Sequence, residues 1–170
     1  IKEHDIATDA TPEQVVEVFD RTVPVGAQFG VILVLVREGE YEVATFRAEA
    51  SYSDGRRPDS VRFVSAREDV LRRDFTINGL LEDPDSGEIR DFVNGHADLK
   101  AGIVRAIGEP LERFREDHLR MLRAVRFSAT LGFDIEARTL EAILEMAPKV
   151  ATVAMERITT ELRRTFSEGD

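Results

Sequence analysis

The side chains able to do chemistry in this 170-residue chain are carboxylates and guanidiniums at short, regular spacings. Glu3-His4-Asp5 sets two carboxylates two residues apart, and on a strand, where alternate side chains share a face, their oxygens can converge on one cation. Two like charges so close repel unless a divalent ion neutralises them. Hard oxygen donors in a chain without cysteine suit Mg²⁺, held by a few carboxylates together with phosphate oxygens. Glu42, in the run Tyr41 to Arg47, is the candidate acid on a neighbouring strand, and with Glu3 and Asp5 it would complete a site for two metal ions. His4 falls on the opposite strand face and reads as a packing or surface residue. Arg72-Arg73-Asp74 sets two guanidiniums beside a carboxylate at a helix, a combination able to bind triphosphate or ribose oxygens and to grip a 2′-hydroxyl.

Asp117 and Arg120 stand i and i+3 on an expected helix and so share a face. A carboxylate beside a guanidinium offers an acceptor next to a fork of donors. That pattern complements cytosine and adenine, whose edges carry an amino donor beside ring acceptors, whereas uracil and guanine present the reverse. Each wrong base would leave polar groups unpaired, at about 1–3 kcal/mol. Taken singly, acid-x-acid, an Arg-Asp pair and D-x-x-R are all common on solvated surfaces. Their combination in one chain points to a nucleotide site.

The elements that must position these groups are legible from caps, turns and periodicity. A short strand ends near Ala7. Thr11-Pro12-Glu13-Gln14 is a capping box with proline at the first helical position, and Val15, Val18 and Phe19 are expected to face inward. Val31 to Val36 reads as a strand buried on both faces, turned by Glu38-Gly39-Glu40 into a second strand, Tyr41 to Arg47. Ser51 to Pro58 reads as a polar loop, in which Arg56 and Arg57 are as readily solvated as bound to RNA or triphosphate. Ser65-Ala66-Arg67-Glu68 is a second capping box, and Val70, Leu71, Phe75, Ile77 and Leu80 behind it predict a helix packed on the sheet. Asp83 to Gly87 is a turn between strands ending near Leu81 and running Ile89 to Val93, and Val104 to Ile107 reads as a last strand. After Gly108 the pattern turns to helices only, about 116–131 stopped by Gly132, about 136–146 followed by Pro148, and about 154–166 with Ile158, Leu162 and Phe166 on one stripe, which suggests that more helical protein follows.

Composition bounds the rest. With 42% apolar and 33% charged residues the chain can bury an ordinary core. Its longest apolar run, Val31 to Val36, falls far short of the roughly 20 residues a membrane span needs, and its first residues resemble no signal peptide, so a soluble, cytoplasmic protein is expected. A net charge of −10 argues against a general polyanion binder, yet the basic residues are 20 arginines against 3 lysines and they cluster at 56–73 and 113–126.

Leu71-Arg72-Arg73-Asp74-Phe75-Thr76-Ile77-Asn78 is similar to the RRDFTINA signature of class II tRNA nucleotidyltransferases, the CCA-adding enzymes, and of bacterial poly(A) polymerases, with Gly79 in place of the usual alanine. Glu3-His4-Asp5 resembles that family's metal-binding D-x-D strand, with glutamate in the first place. Asp91-Phe92-Val93-Asn94-Gly95 with Asp98-Leu99 resembles its hinge region, Glu116-Asp117-His118-Leu119-Arg120 its E-D-x-x-R element, and Glu156-Arg157-Ile158 with Glu161-Leu162 its last neck element. These matches run in the correct order over nearly the whole chain. The resemblance implies an α+β fold: a nucleotidyltransferase-type head, a small twisted mixed sheet with flanking helices, over residues 1–108, then an all-helical, base-selecting neck over residues 109–170. It implies Glu3 and Asp5 as catalytic acids, with Glu42 the third by the strand argument above, Glu3 and Asp5 as ligands of two Mg²⁺ ions, and Arg72, Arg73, Asp74, Asn78, Asp117 and Arg120 as nucleotide-binding residues. Within that set Arg73 and Asp74 recognise the sugar, and Asp117 and Arg120 act as an amino-acid template. Arg157 and Glu161, an i,i+4 pair, would brace the template helix. ATP and CTP are the implied substrates and an RNA, above all a tRNA 3′ end, the implied partner, with no membrane involved. The family's opening Gly-Gly-x-Val-Arg-Asp segment precedes what this chain contains. Glu3, one methylene longer than aspartate, motivates the alternative of a catalytically impaired nucleotide- or RNA-binding fragment or paralogue.

Overall fold

The computed structural model of the chain describes residues 5–49 and 61–167. Glu3, His4 and the expected loop with Arg56 and Arg57 lie outside the described residues. By packing, the chain divides into two compact units, Ile1–Arg72 and Arg73–Asp170.

The first unit is built on a four-stranded mixed sheet. β1 (Ile6–Thr8) runs parallel to β4 (Gly39–Thr45), which pairs antiparallel with β3 (Val31–Val36), which pairs antiparallel with β2 (Thr22–Gly26), in the order β1-β4-β3-β2. α1 (Pro12–Val18) starts as its sequence dictates: the Thr11 hydroxyl accepts the Gln14 N–H, the Gln14 side chain accepts the Thr11 N–H, and Pro12 opens the first turn. Val15 on α1 packs with Ile32, Val34 and Val43 in this unit's core. Two expectations fail here for one reason. Among the described residues of this unit α1, a helix of seven residues, covers one sheet face, so in β3 Ile32 and Val34 are buried while Val31, Leu33 and Leu35 are half-buried and Val36 is exposed, and Val18 and Phe19 are exposed as the chain leaves α1 in an extended conformation. β5 (Arg47–Glu49) and β6 (Val61–Phe63) form a separate antiparallel pair, and α2 (Ala66–Leu71) begins at the Ser65–Glu68 capping box.

The expected helix through Phe75 and Leu80 stops at Leu71. Beyond it Phe75 is extended and bridges Ala106, the Thr76 N–H donates to the Arg105 carbonyl at 2.9 Å, and the Ile107 N–H donates to the Asp74 carbonyl at 2.9 Å. A backbone with partners across the chain has no need of helical ones. The second unit continues with a 3₁₀ turn at Thr76–Asn78, the hairpin of β7 (Leu80–Glu82) and β8 (Ile89–Asp91), α3 (Gly95–Ala101), and β9 (Ile103–Val104). Four helices complete it: α4 (Pro110–Glu116), α5 (Leu119–Leu131), α6 (Ala137–Met146) and α7 (Met155–Ser167).

Two features correct the helices-only expectation for this stretch. The single helix expected over 116–131 is two, broken at Asp117, whose φ of −150° and ψ of 106° are extended and whose side chain accepts the Leu119 N–H to start α5 afresh. Asp134–Ile135 forms a short strand, β10, parallel to β9. The core of the unit joins Phe75, Val104 and Ala106 to Phe114, Met121, Ala124, Ala142, Ile143 and Met146. Because the segments from Phe75 to Ala106 share this core with the helices, the packing units divide after Arg72, whereas the change of sequence pattern falls near Gly108. Among the described residues no helix is long and apolar enough to cross a membrane.

Candidate nucleotide site

In the first unit strand register relates two of the three acids. Asp5 stands one residue before β1, and Ile6 is opposite Val43, so the register continued by one step sets Asp5 opposite Glu42. Val43 faces the core under α1, which puts Glu42, exposed, on the other face, and opposed residues in a sheet share a face. Two adjacent carboxylates are a fitting donor set for a hard divalent cation. Among the described residues no three His, Cys, Asp or Glu side chains gather into a metal-holding group. Arg72 also lies in this unit, where its guanidinium pairs with buried Asp69 at 2.6 Å, an i,i+3 contact across the last turn of α2.

In the second unit Asp74 is the hub. Its Oδ1 accepts the Phe75 N–H at 2.9 Å and the Asn78 side-chain amide at 2.9 Å, while Oδ2 accepts Nε of Arg123 at 2.7 Å. Arg73 donates to the Asn78 carbonyl at 2.9 Å, so Arg73, Asp74 and Asn78 are drawn into one turn. The sequence pairs Asp74 with the adjacent arginines; the fold pairs it with one 49 residues away.

Burial works against the charged form of Asp74, but the Arg123 guanidinium, with the Asn78 amide and the Phe75 N–H, outweighs it and holds the carboxyl below its ordinary value of 3.8. A group whose folded value lies below its unfolded one is protonated first in the unfolded chain. Its stabilisation is therefore complete above about pH 5 and drains as pH falls through its ordinary value toward the lower folded one. In Arg123→Met burial is opposed only by the Asn78 amide and the Phe75 N–H, so the Asp74 carboxylate is less favoured at neutral pH and acid closes part of the difference. Urea midpoints from pH 7 down to pH 4 should show the gap between wild type and Arg123→Met narrowing by about 1 kcal/mol; a constant gap would contradict this account.

Asp117 and Arg120 flank the break between α4 and α5. They do not share a helix as expected, yet the Arg120 N–H donates to the Asp117 carbonyl at 3.1 Å, which keeps them adjacent. Each side chain has its own holder. Arg157 on α7 grips Asp117 with both terminal nitrogens, at 3.1 Å to Oδ1 and 2.7 Å to Oδ2. Arg120, largely buried, donates to Glu116 Oε2 at 2.7 Å and to the Arg113 carbonyl at 3.1 Å. The expected i,i+4 pairing of Arg157 with Glu161 is replaced by longer reaches: Glu161 takes Arg126 at 2.7 Å and Arg123 at 3.6 Å. A carboxylate has about four lone-pair directions. Asp117 spends two on Oδ1, for Leu119 and Arg157, and one on Oδ2, which leaves one acceptor direction on Oδ2.

Residues 1–105 match the family described as Poly A polymerase head domain, and residues 132–170 match the one described as Probable RNA and SrmB- binding site of polymerase A. The chain belongs to the poly A polymerase head-domain family. It is 51% identical to the CCA-adding enzyme of Enterococcus faecalis over 162 residues, 95% of this chain and 40% of that enzyme. The crystal structure of the Bacillus stearothermophilus CCA-adding enzyme in complex with CTP superposes with a TM-score of 0.88 at 42% identity, over 97% of this chain and 40% of that one. The Thermotoga maritima CCA-adding enzyme complexed with tRNA_CCA gives a TM-score of 0.75 at 25% identity, over 100% of this chain and 40% of that one. The chain thus spans about 40% of the length of these relatives. The α+β class, a small mixed sheet with flanking helices, agrees with these likenesses.

In this poly A polymerase head-domain chain, sequence reasoning placed Arg123 only in a basic cluster and missed its pairing with Asp74. The signal present was spacing: Arg123 follows Arg120 by three residues, so the D-x-x-R element continues as D-x-x-R-x-x-R along α5.

Proposed function

We propose that this chain is the nucleotide-selecting and catalytic portion of an enzyme that adds C or A nucleotides, or both, to an RNA 3′ end without a nucleic-acid template, residues 1–108 serving as head and 109–170 as neck. The observation that carries the reading is the α4–α5 break. There Asp117 is held in a fixed direction by Arg157 with one acceptor direction left, next to Arg120, before any nucleotide arrives. Rigid polar groups of this kind discriminate bases because the wrong edge leaves them unpaired. The family membership, and relatives whose structures hold CTP or tRNA, support ATP and CTP as substrates and a tRNA 3′ end as partner.

Within this reading Asp117 accepts the amino group of cytosine or adenine and Arg120 donates to the ring acceptors. Arg73, Asp74 and Asn78 hold the sugar, and Arg72 is a further nucleotide-binding residue. Asp5 and Glu42, with Glu3 outside the described residues, would hold Mg²⁺, two ions in all; the ions would supply charge neutralisation at the phosphates. The carboxylates themselves keep those positions negative and aligned along the strand register. Arg157 and Glu161 support the site by fixing Asp117 and the arginines of α5.

The decisive experiment incubates the protein, as its gene encodes it, with a tRNA lacking its CCA end, and separately with oligo(A), plus each of the four nucleoside triphosphates. Extension by CTP or ATP is expected. Nucleotide binding with extension of neither RNA would refute the enzymatic reading in favour of an impaired binding protein. Asp117→Ala should raise the use of UTP relative to CTP by about 10–100-fold, the equivalent of about 1–3 kcal/mol of lost discrimination, and unchanged selectivity would remove Asp117 from base reading.

A further inference from the structure

Asp74 is followed directly by Phe75, whose backbone is extended, and α5 touches both. Arg123 reaches the Asp74 carboxylate at 2.7 Å, while Phe127, one turn further on, meets the Phe75 ring edge-on with centroids 5.8 Å apart and planes at 79°. The guanidinium of Arg123 lies 5.4 Å from the centre of the Phe127 ring and 3.6 Å from Glu161 Oε1. Arg123 is thus fixed from three sides, by a ring, by a carboxylate on α7, and by Asp74 itself. Three of the four lone-pair directions of Asp74 are taken, two on Oδ1 and one on Oδ2. One remains, on the oxygen that Arg123 holds.

We propose that Arg123 is a positioning residue for sugar selection, fixing Asp74 Oδ2 so that its remaining lone pair meets a ribose hydroxyl of the incoming nucleotide. The inference rests on the assignment of Asp74 to the sugar given above. A charge-assisted bond of this length is directional, and a hydrogen bond to a ligand discriminates only if its acceptor cannot swing away. The Phe75 N–H and the Asn78 amide anchor Oδ1 alone, so they leave the carboxylate plane free to tilt; Arg123 anchors the other oxygen. The helix that reads the base with Arg120 near its start therefore also sets the direction of the sugar contact one turn later.

The test compares CTP with dCTP, and CTP with UTP, as substrates of the gene-encoded protein carrying Arg123→Met, Arg123→Lys, Asp74→Asn, or Asp74→Asn with Arg123→Met, each first checked for native circular dichroism and a cooperative unfolding transition. Arg123→Met should lower the CTP-over-dCTP preference about tenfold through a raised KM for CTP, with the CTP-over-UTP preference changed less than about threefold. Arg123→Lys, which retains the charge but not the planar fork, should fall between, and remains informative if Arg123→Met fails to fold. In the Asp74→Asn background Arg123→Met should change the sugar preference no further, since it acts through Asp74. The inference is overturned by a folded Arg123 variant with undiminished sugar preference, by equal losses of sugar and base preference, or by full additivity with Asp74→Asn. A wild-type protein that adds dCTP as readily as CTP would instead refute the role of Asp74 itself, and with it this inference.

Discussion

Glu161→Ala should lower the unfolding free energy by about 3–5 kcal/mol at neutral pH, the cost of removing one partner from a buried charge cluster. Glu161 is 4% exposed and Arg126 only 6%, and the two meet at 2.7 Å. Arg126 stacks at 4.2 Å from the centre of the Phe127 ring, and Arg123, on the same ring, also reaches Glu161. Two guanidiniums beside one ring repel each other, and the carboxylate that both reach offsets that repulsion as well as the loss of water. Deleting it leaves Arg126 desolvated without its carboxylate and frees Arg123 from its α7 anchor. Glu161→Gln, which keeps an acceptor but not the charge, should cost clearly less. Urea midpoints of the two variants decide the matter: equal, small losses would mean that α7 docks on α5 through packing alone.

That cluster also marks the limit of what the sequence discloses. Local signals are legible because they act over three or four residues. The capping boxes at Thr11 and Ser65, the left-handed stop at Gly132 and the turn from Asp83 to Gly87 all form as their residue types dictate. The same local logic misleads where partners lie far along the chain. D-x-x-R and R-x-x-x-E spacings suggest that Asp117 and Arg120 share one helix face and that Arg157 pairs with Glu161. The fold pairs them otherwise, Asp117 with Arg157 over 40 residues and Arg126 with Glu161 over 35, because α7 lies along α5 and sets its charged side chains against those of α5 and of Asp117 just before it. Helix continuation fails for a related reason: Phe75 and Asp117 each leave the helical pattern where a distant backbone partner or an Asp cap competes with the next turn. The register that opposes Asp5 to Glu42 was foreseeable only as two strands being neighbours, since a parallel pair has no hairpin turn to set its alignment.

Gly95→Ala should be the most damaging single-methyl change in the second unit, costing about 3 kcal/mol or more and weakening nucleotide binding with it. A β-carbon at Gly95 would sit 2.1 Å from the Thr76 carbonyl oxygen and 2.9 Å from its carbon. That neighbour is backbone, so no rotamer change relieves the clash, and the backbone is tied on both sides. The Thr76 N–H donates to Arg105 at 2.9 Å, and the Thr76 hydroxyl donates at 2.7 Å to Asp98, which is buried and also holds Arg105 at 2.9 Å. Nor can Gly95 itself move easily. Asn94 before it is left-handed at φ 63°, and the Asp91 carboxylate accepts the N–H groups of Val93, Gly95 and His96 to fix the start of α3. Any retreat of Thr76 is passed along two peptide units to Asp74, so the KM for CTP should rise even in the fraction that folds. Gly87→Ala supplies the contrast. Gly87 has φ +70° with nothing within 4 Å of its would-be β-carbon, so only left-handed strain applies, about 1–2 kcal/mol, with no effect on KM. Equal losses of stability in the two variants would show that Thr76 yields freely, and that the approach of Gly95 does not hold the Asp74 turn in place.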